Sequence, residues 1–250
     1  MELGDLVGQA QLANNLGGIA YFDGRWQDTL EYYAQASEAS RRVGDFVRAA
    51  WFEGNSAEVL VSQGRVSEAE PLLRNSSRVL RSSGSPWLAS FAELQLGRVL
   101  TIRGEYASAE TLLRTLLAEC YQMGVPASAY EVALHLAECL IEQGRVNEAL
   151  PVIEDAVGRN SEDVSIFEGA EARIRARVAA HRGRRDEAIE LIARGVAATR
   201  ARTLEYDLCR LLRLANDLGL EDEQISKDVR GEISLFVERL GIHDERVAVD

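Results

Sequence analysis

Apolar residues recur along this chain at helical rather than alternating spacing. Leu72, Leu73, Val79 and Leu80 share one face with Ser76, and Leu112, Leu113, Leu116 and Leu117 share another; steps of three and four are those one side of an α-helix presents. Glycine interrupts these faces about every 20 residues. One series stands at Gly24, Gly64, Gly104, Gly144 and Gly183, spaced 40, 40, 40 and 39, and a second at Gly4, Gly44, Gly84 and Gly124, offset from the first by 20. A glycine just past the last turn supplies the left-handed residue that closes a helix. Each 40 residues therefore hold two helices, and the chain is predicted to be an array of helix pairs. The units are expected at about 5–44, 45–84, 85–124, 125–163 and 164–202, with a degenerate unit at 203–220. A capping helix is expected over 221–241, with Ile225, Val229, Ile233, Phe236 and Leu240 on one face, followed by a frayed tail at 242–250.

The first glycine series opens variants of one motif: Gly24-Arg-Trp-Gln-Asp-Thr29, Gly64-Arg-Val-Ser-Glu-Ala69, Gly104-Glu-Tyr-Ala-Ser-Ala109, Gly144-Arg-Val-Asn-Glu-Ala149 and Gly183-Arg-Arg-Asp-Glu-Ala188. Seven residues before each glycine stands a small residue (Gly17, Ala57, Gly97, Ala137, Ala176), and five after it Thr29 or an alanine. Antiparallel helices approach closely only where a side chain is small, which explains why these positions stay small in every unit. Nine residues after each glycine comes a large apolar plug, namely Tyr33, Leu73, Leu113, Ile153 and Ile192, expected to fill the gap between successive units.

These motifs resemble tetratricopeptide repeats over residues 4 to 200, with a weaker sixth unit to about 240. The period of 40, without a proline closing the second helix, is similar to the longer-helix subclass of kinesin light chains and of the C-terminal arms of bacterial nucleotide-cyclase, ATPase and transcription-activator regulators. The resemblance implies an all-α fold, a right-handed superhelical α-solenoid of about six antiparallel helix pairs whose first helices line a concave groove. Gly4-Asp5 lies 40 before Gly44-Asp45, so the chain opens within a second helix and is expected to be a piece of something longer.

Composition narrows the function. The chain is 46% hydrophobic but only 6% aromatic, its apolar content mainly Ala, Leu and Val, which suits packed helices rather than sheets. A formal charge of −12 argues against nucleic acid as a partner and favours a protein or peptide with basic segments. Lys227 is the single lysine and no G-x-x-x-x-G-K loop exists, so phosphate-loop ATP hydrolysis is excluded. Three widely spaced cysteines, Cys120, Cys139 and Cys209, are expected to be reduced packing residues in a cytoplasmic protein, and no apolar run reaches the roughly 20 residues that span a bilayer. His135, His181 and His243 have no fixed Ser or Cys companion and no G-x-S-x-G elbow is present, so no enzyme activity, cofactor or metal is expected.

Groove-lining positions, read from the resemblance, fall 13, 9, 6 and 2 residues before each glycine of the first series. The amide series Asn15, Asn55 and Gln95 is the leading candidate for holding an extended peptide, because a carboxamide both donates and accepts; the competing role is bonding to a neighbouring helix. Trp51 and Phe91 beside it are candidate apolar anchors, or inter-repeat packing. Glu58, Arg98, Glu138 and Arg177 alternate in sign from unit to unit and predict a salt ladder between first helices. Glu131, His135, Glu138 and Glu142 share one helical face and are expected to form a solvated acidic stripe attractive to Lys or Arg, since His181 alone offers itself as a further metal ligand. The expected function is a non-catalytic protein-interaction module, the regulatory or sensory arm of a larger bacterial signalling protein; a self-assembly scaffold, or the C-terminal part of a cyclase- or ATPase-type regulator, are the alternatives.

Overall fold

The computed structural model describes residues 5–160, 162–220, 222 and 225–243. Among them are twelve α-helices and no strand: α1 (Leu6–Phe22), α2 (Trp26–Arg42), α3 (Phe46–Ser62), α4 (Val66–Ser82), α5 (Pro86–Ile102), α6 (Tyr106–Met123), α7 (Pro126–Glu142), α8 (Val146–Arg159), α9 (Glu168–His181), α10 (Arg185–Ala201), α11 (Glu205–Asp217) and α12 (Val229–Leu240). The fold is an all-α helical-repeat solenoid, built from antiparallel pairs joined by short glycine turns. Two compact units divide it, one of residues 1–99 with 239–250, the other of residues 100–238.

The turns behave as the glycine spacing predicts. Gly24, Gly44, Gly64, Gly84, Gly104, Gly124, Gly144 and Gly183 all have φ between 70 and 84°, and each amide closes the preceding helix, as Gly44 N–H does on the Arg41 carbonyl at 2.9 Å. Two turns lack glycine. At the end of α8 the chain leaves the helix at Asn160, whose side chain accepts from the Glu162 amide at 3.1 Å, and Asp163 does the same for the Ser165 amide at 2.9 Å. These side-chain turns, followed by a 3-10 turn at Ser165–Phe167, leave α8 and α9 at 14 residues each where most of the helices before them have 17. After α10, Thr203 takes the left-handed position itself, at φ 56°.

In the first unit, the close approach of α1 and α2 is set by Gly17, where a Cβ would meet the Tyr33 ring at 2.6 Å. The small and plug positions of this pair thus touch each other. Successive pairs are pinned by buried carboxylates of α3 and α5. Glu53 accepts from Ser37, Arg41 and Asn75, and Glu93 accepts from Ser77 and Arg81. Residues Arg239 to His243 also belong to this unit. Gln63 Nε2 donates to the Leu240 carbonyl at 3.0 Å, the His243 amide donates to the Gln63 carbonyl at 2.6 Å, and Arg239 donates to the Asp23 carbonyl at 3.1 Å.

The second unit has its own core, in which Tyr130, Leu134, Ile141, Val146, Ile153, Ile174 and Val178 pack around the alanines Ala133, Ala137, Ala149 and Ala156. Along the expected capping face Ile225, Phe236 and Leu240 are buried, and Val229 and Ile233 half-buried. The tail beyond His243 lies outside the described residues. Cys120, Cys139 and Cys209 are buried free thiols. No described helix is long and apolar enough to cross a membrane.

Candidate functional site

The ten residues singled out from the sequence divide between the two units. Asn15, Trp51, Asn55, Glu58, Phe91, Gln95 and Arg98 lie on α1, α3 and α5 of the first; His135, Glu138 and Arg177 lie on α7 and α9 of the second.

On the first unit α1 and α3 meet at their amides. Asn55 Nδ2 donates to Asn14 Oδ1 at 3.3 Å, and the adjacent Asn15, exposed, accepts from Gln11 Nε2 at 3.0 Å within its own helix. Among the described residues the Asn15 amide hydrogens and the Asn55 carbonyl oxygen have no partner. Gln95 is different. It is 5% exposed, and its carbonyl oxygen accepts from Arg98 at 2.7 Å, so its amide serves to hold the arginine. Trp51 is half-buried, stacked on Phe52 at 5.3 Å and packed at the edge of the cluster that Phe52 forms with Ala10, Ala13 and Ala36, which makes it part core and part surface. Phe91 is 37% exposed and meets Trp87 edge-on at 5.2 Å.

At the expected first rung of the salt ladder, the Arg98 guanidinium acts on Glu58 through its charge while its hydrogen bonds go to Gln95 and Ser62. Burial raises the Glu58 carboxyl above the usual carboxylate range, while the Arg98 guanidinium and the Tyr21 hydroxyl, 3.4 Å away, oppose that rise. Arg98 also donates to Ser62 at 3.3 Å.

On the second unit the expected rung between Glu138 and Arg177 is replaced. Arg177 bonds Glu142 at 2.8 Å, and Glu138 is taken by Arg173 and by Arg210, the latter at 2.9 Å, with His135 Nδ1 at 3.3 Å on its other oxygen. The expected solvated acidic stripe is likewise corrected. The Glu138 and Glu142 side chains are only 12% and 24% exposed, because α9 and α11 lay three arginines against them. Arg173 is the most buried of these, and its Nε has no acceptor among the described residues. Burial first, then the neighbouring Arg210 and Arg177 charges, hold its guanidinium well below the usual arginine range, with Asp207 opposing.

Sequence reasoning missed Asn14, Tyr21, Arg173 and Arg210. Asn14 and Arg173 both stand ten residues before a glycine of the first series, a position left out of the groove map, while Arg210 sits in α11, which no glycine of that series registers. No group of three or more His, Cys, Asp or Glu among the described residues is arranged to hold a metal ion.

The comparison with known proteins agrees with this architecture. Residues 100–174 match a tetratricopeptide-repeat model and residues 172–194 match a second. Among solved structures the chain is similar to a Rap protein complexed with competence and sporulation factor, at 15% identity over 96% of this chain and 76% of that one, with a TM-score of 0.68. It is also similar to the apo form of RapI, at 14% identity over 94% and 85% of the two chains, with a TM-score of 0.69. At such identities the likeness is one of fold. No curated protein sequence matches the chain.

Proposed function

We propose that the protein is a non-catalytic interaction module that holds an extended peptide segment of a partner on the first-helix faces. The observation that carries this reading is the pair of uncommitted amide groups at Asn15 and Asn55. One offers donors and the other an acceptor, on neighbouring helices, which matches the alternating C=O and N–H of a peptide backbone. Trp51 beside them supplies apolar surface for a ligand side chain, and Phe91 on α5 supplies more. Gln95 acts indirectly, by positioning Arg98 next to Glu58; His135, Glu138 and Arg177 belong to a separate face on the second unit.

The net charge of −12 supports a ligand with basic segments rather than a nucleic acid. The similarity to a Rap protein complexed with competence and sporulation factor supports a regulatory role, as one arm of a bacterial signalling system working in the cytoplasm. Affinity capture from lysate of the source cell, run with the native chain beside an Asn15→Ala/Asn55→Ala variant and read by mass spectrometry, tests the proposal. A partner retained by the native chain and lost by the variant supports it; identical partners on both refute it.

A further inference from the structure

We infer that a cleft on the second unit, between α8, α9 and α10, binds a small organic acid, its carboxylate held by Arg194 with Arg175 and Arg184 and its apolar body laid on Leu150, Val178 and Leu191. The site lies apart from the first-helix faces of the first unit and does not rest on the peptide-binding reading.

The cleft has a volume of about 320 Å³, at the lower end of the range that small-molecule sites occupy. Its depth is apolar: Val178 and Ala179 are each 1% exposed and Leu191 9%, with Leu150 half-buried beside them. The rest of the lining is charged, three arginines and two glutamates. Arg182, in the turn after α9, donates to Asn147 Oδ1 on α8 from Nε and Nη2 at 3.2 and 3.1 Å, which ties the α8 and α9 sides of the cleft together.

The sign of the ligand follows from how these charges are paired. Glu171 is fully engaged, one oxygen accepting from Arg175 Nε at 2.6 Å and the other from the Tyr130 hydroxyl. Glu187 is ion-paired with Arg184 Nη1 at 2.7 Å. The exposed Arg194 has no side-chain partner among the described residues. The cleft therefore carries one positive charge in excess, and it stands in a stretch, residues 171–213, with eleven arginines against six acidic residues in a chain of net charge −12. That local reversal draws anions to a place the rest of the chain would turn them from.

Donors are open as well as charge. Arg175 and Arg184 each give one N–H group to a glutamate, and their side chains are 28% and 49% exposed, so the remaining edges of both forks face the cleft mouth with Arg194. A planar carboxylate takes two parallel hydrogen bonds from a guanidinium, and its single charge balances the excess. A phosphate monoester, with nearly two charges at neutral pH, exceeds it. The buried Val178 and Leu191 reward hydrocarbon attached to the head group.

The whole 15N-labelled chain is titrated with hexanoate, hexanamide, acetate and hexyl phosphate, reading the arginine Nε–H and backbone amide signals. Hexanoate is expected to shift Arg175, Arg184 and Arg194 together with the amides of Leu150 and Leu191, and to bind at least about tenfold tighter than acetate or hexanamide. Arg194→Gln is expected to weaken hexanoate at least about tenfold at an unchanged melting temperature, while Arg159→Gln, an exposed arginine of α8 outside the cleft, leaves it unchanged. No shift with hexanoate, equal binding of acid and amide, or equal loss in the two variants overturns the site. Acetate binding as tightly as hexanoate overturns the role of the apolar lining, and tighter binding of hexyl phosphate overturns the assignment to a carboxylic acid.

Discussion

Arg81 grips the buried Glu93 with two N–H groups, Nε to Oε1 at 2.8 Å and Nη2 to Oε2 at 2.5 Å. Forty residues earlier Arg41 holds Glu53 through a single N–H group, Nη2 to Oε1, and in both cases a serine four residues before the arginine donates to the same carboxylate. The pair links the second helix of one repeat to the first helix of the next. Ala13, Ala133 and Ala172 stand at the corresponding place in the other units, so this staple is confined to the first compact unit. Glu93→Gln keeps the shape but weakens two charge-assisted bonds, and is expected to cost about 2 kcal/mol in urea unfolding. An unchanged midpoint would mean the two helices are held by apolar contact alone.

How far such contacts were legible beforehand differs from residue to residue. That Gly17 is small and Tyr33 large could be read from the period, because steric approach forces the same positions in each unit; their contact could not, since the plug is expected between successive units and the structure sets it against Gly17 within one pair. The turn glycines were legible for the same reason, since a positive φ admits few other residues. Polar partners were not. The ladder predicted Arg177 opposite Glu138 from register alone, but a guanidinium reaches a full turn along its helix, and Arg177 settles on Glu142 while Arg173 takes Glu138. The long reach of arginine decouples pairing from register.

Thr203 marks the place where the glycine rule lapses. Its left-handed backbone is unfavourable for a β-branched residue by about 1–2 kcal/mol, and no side-chain hydrogen bond of Thr203 offsets it among those the structure describes. Thr203→Gly is expected to raise stability by about 1 kcal/mol, measured as a later denaturation midpoint. A loss of stability would show that the threonine side chain contributes packing that outweighs its strain.

Alkaline pH should loosen the fold in a traceable way. Burial first, and the Glu58 carboxylate second, push the Tyr33 hydroxyl up to about 12 from its ordinary 10. The unfolded chain thus releases this proton at lower pH than the folded one, so the contribution of Tyr33 to stability is complete below pH 10 and is lost as pH rises toward 12. The expected slope from this group is about 1.4 kcal/mol per pH unit. Burial and Glu171 raise Tyr130 in the same sense, so Tyr33→Phe should flatten the fall without abolishing it. A slope identical in the native chain and the phenylalanine variant would place Tyr33 in water.

The close approach of α7 and α8 offers a steric test. Ala137 is fully buried within the second unit's core, and Ala137→Leu adds three carbons where there is no space for them. A cost of about 1–3 kcal/mol is expected on heating. Native-like melting would contradict the packing described for this helix pair.

Gln63 ties residues 240 to 243 to the end of α3 through both its side chain and its backbone. Gln63→Ala removes the bond to the Leu240 carbonyl, and amide hydrogen exchange over residues 240–243 should then accelerate while α3 itself stays protected. Equal exchange in both proteins would mean that the segment is held by other contacts.

The central claim is that Asn15, Asn55 and Trp51 hold a peptide segment of a partner. Its most direct test is the affinity of the captured segment, synthesised as a peptide, for the native chain, for Asn15→Ala/Asn55→Ala and for Trp51→Ala, each checked for an unchanged melting temperature. A loss of at least about tenfold in both variants, the scale of one or two lost hydrogen bonds or one aromatic anchor, is the predicted result. Equal affinity in all three proteins would contradict the account and move the binding surface away from α1 and α3.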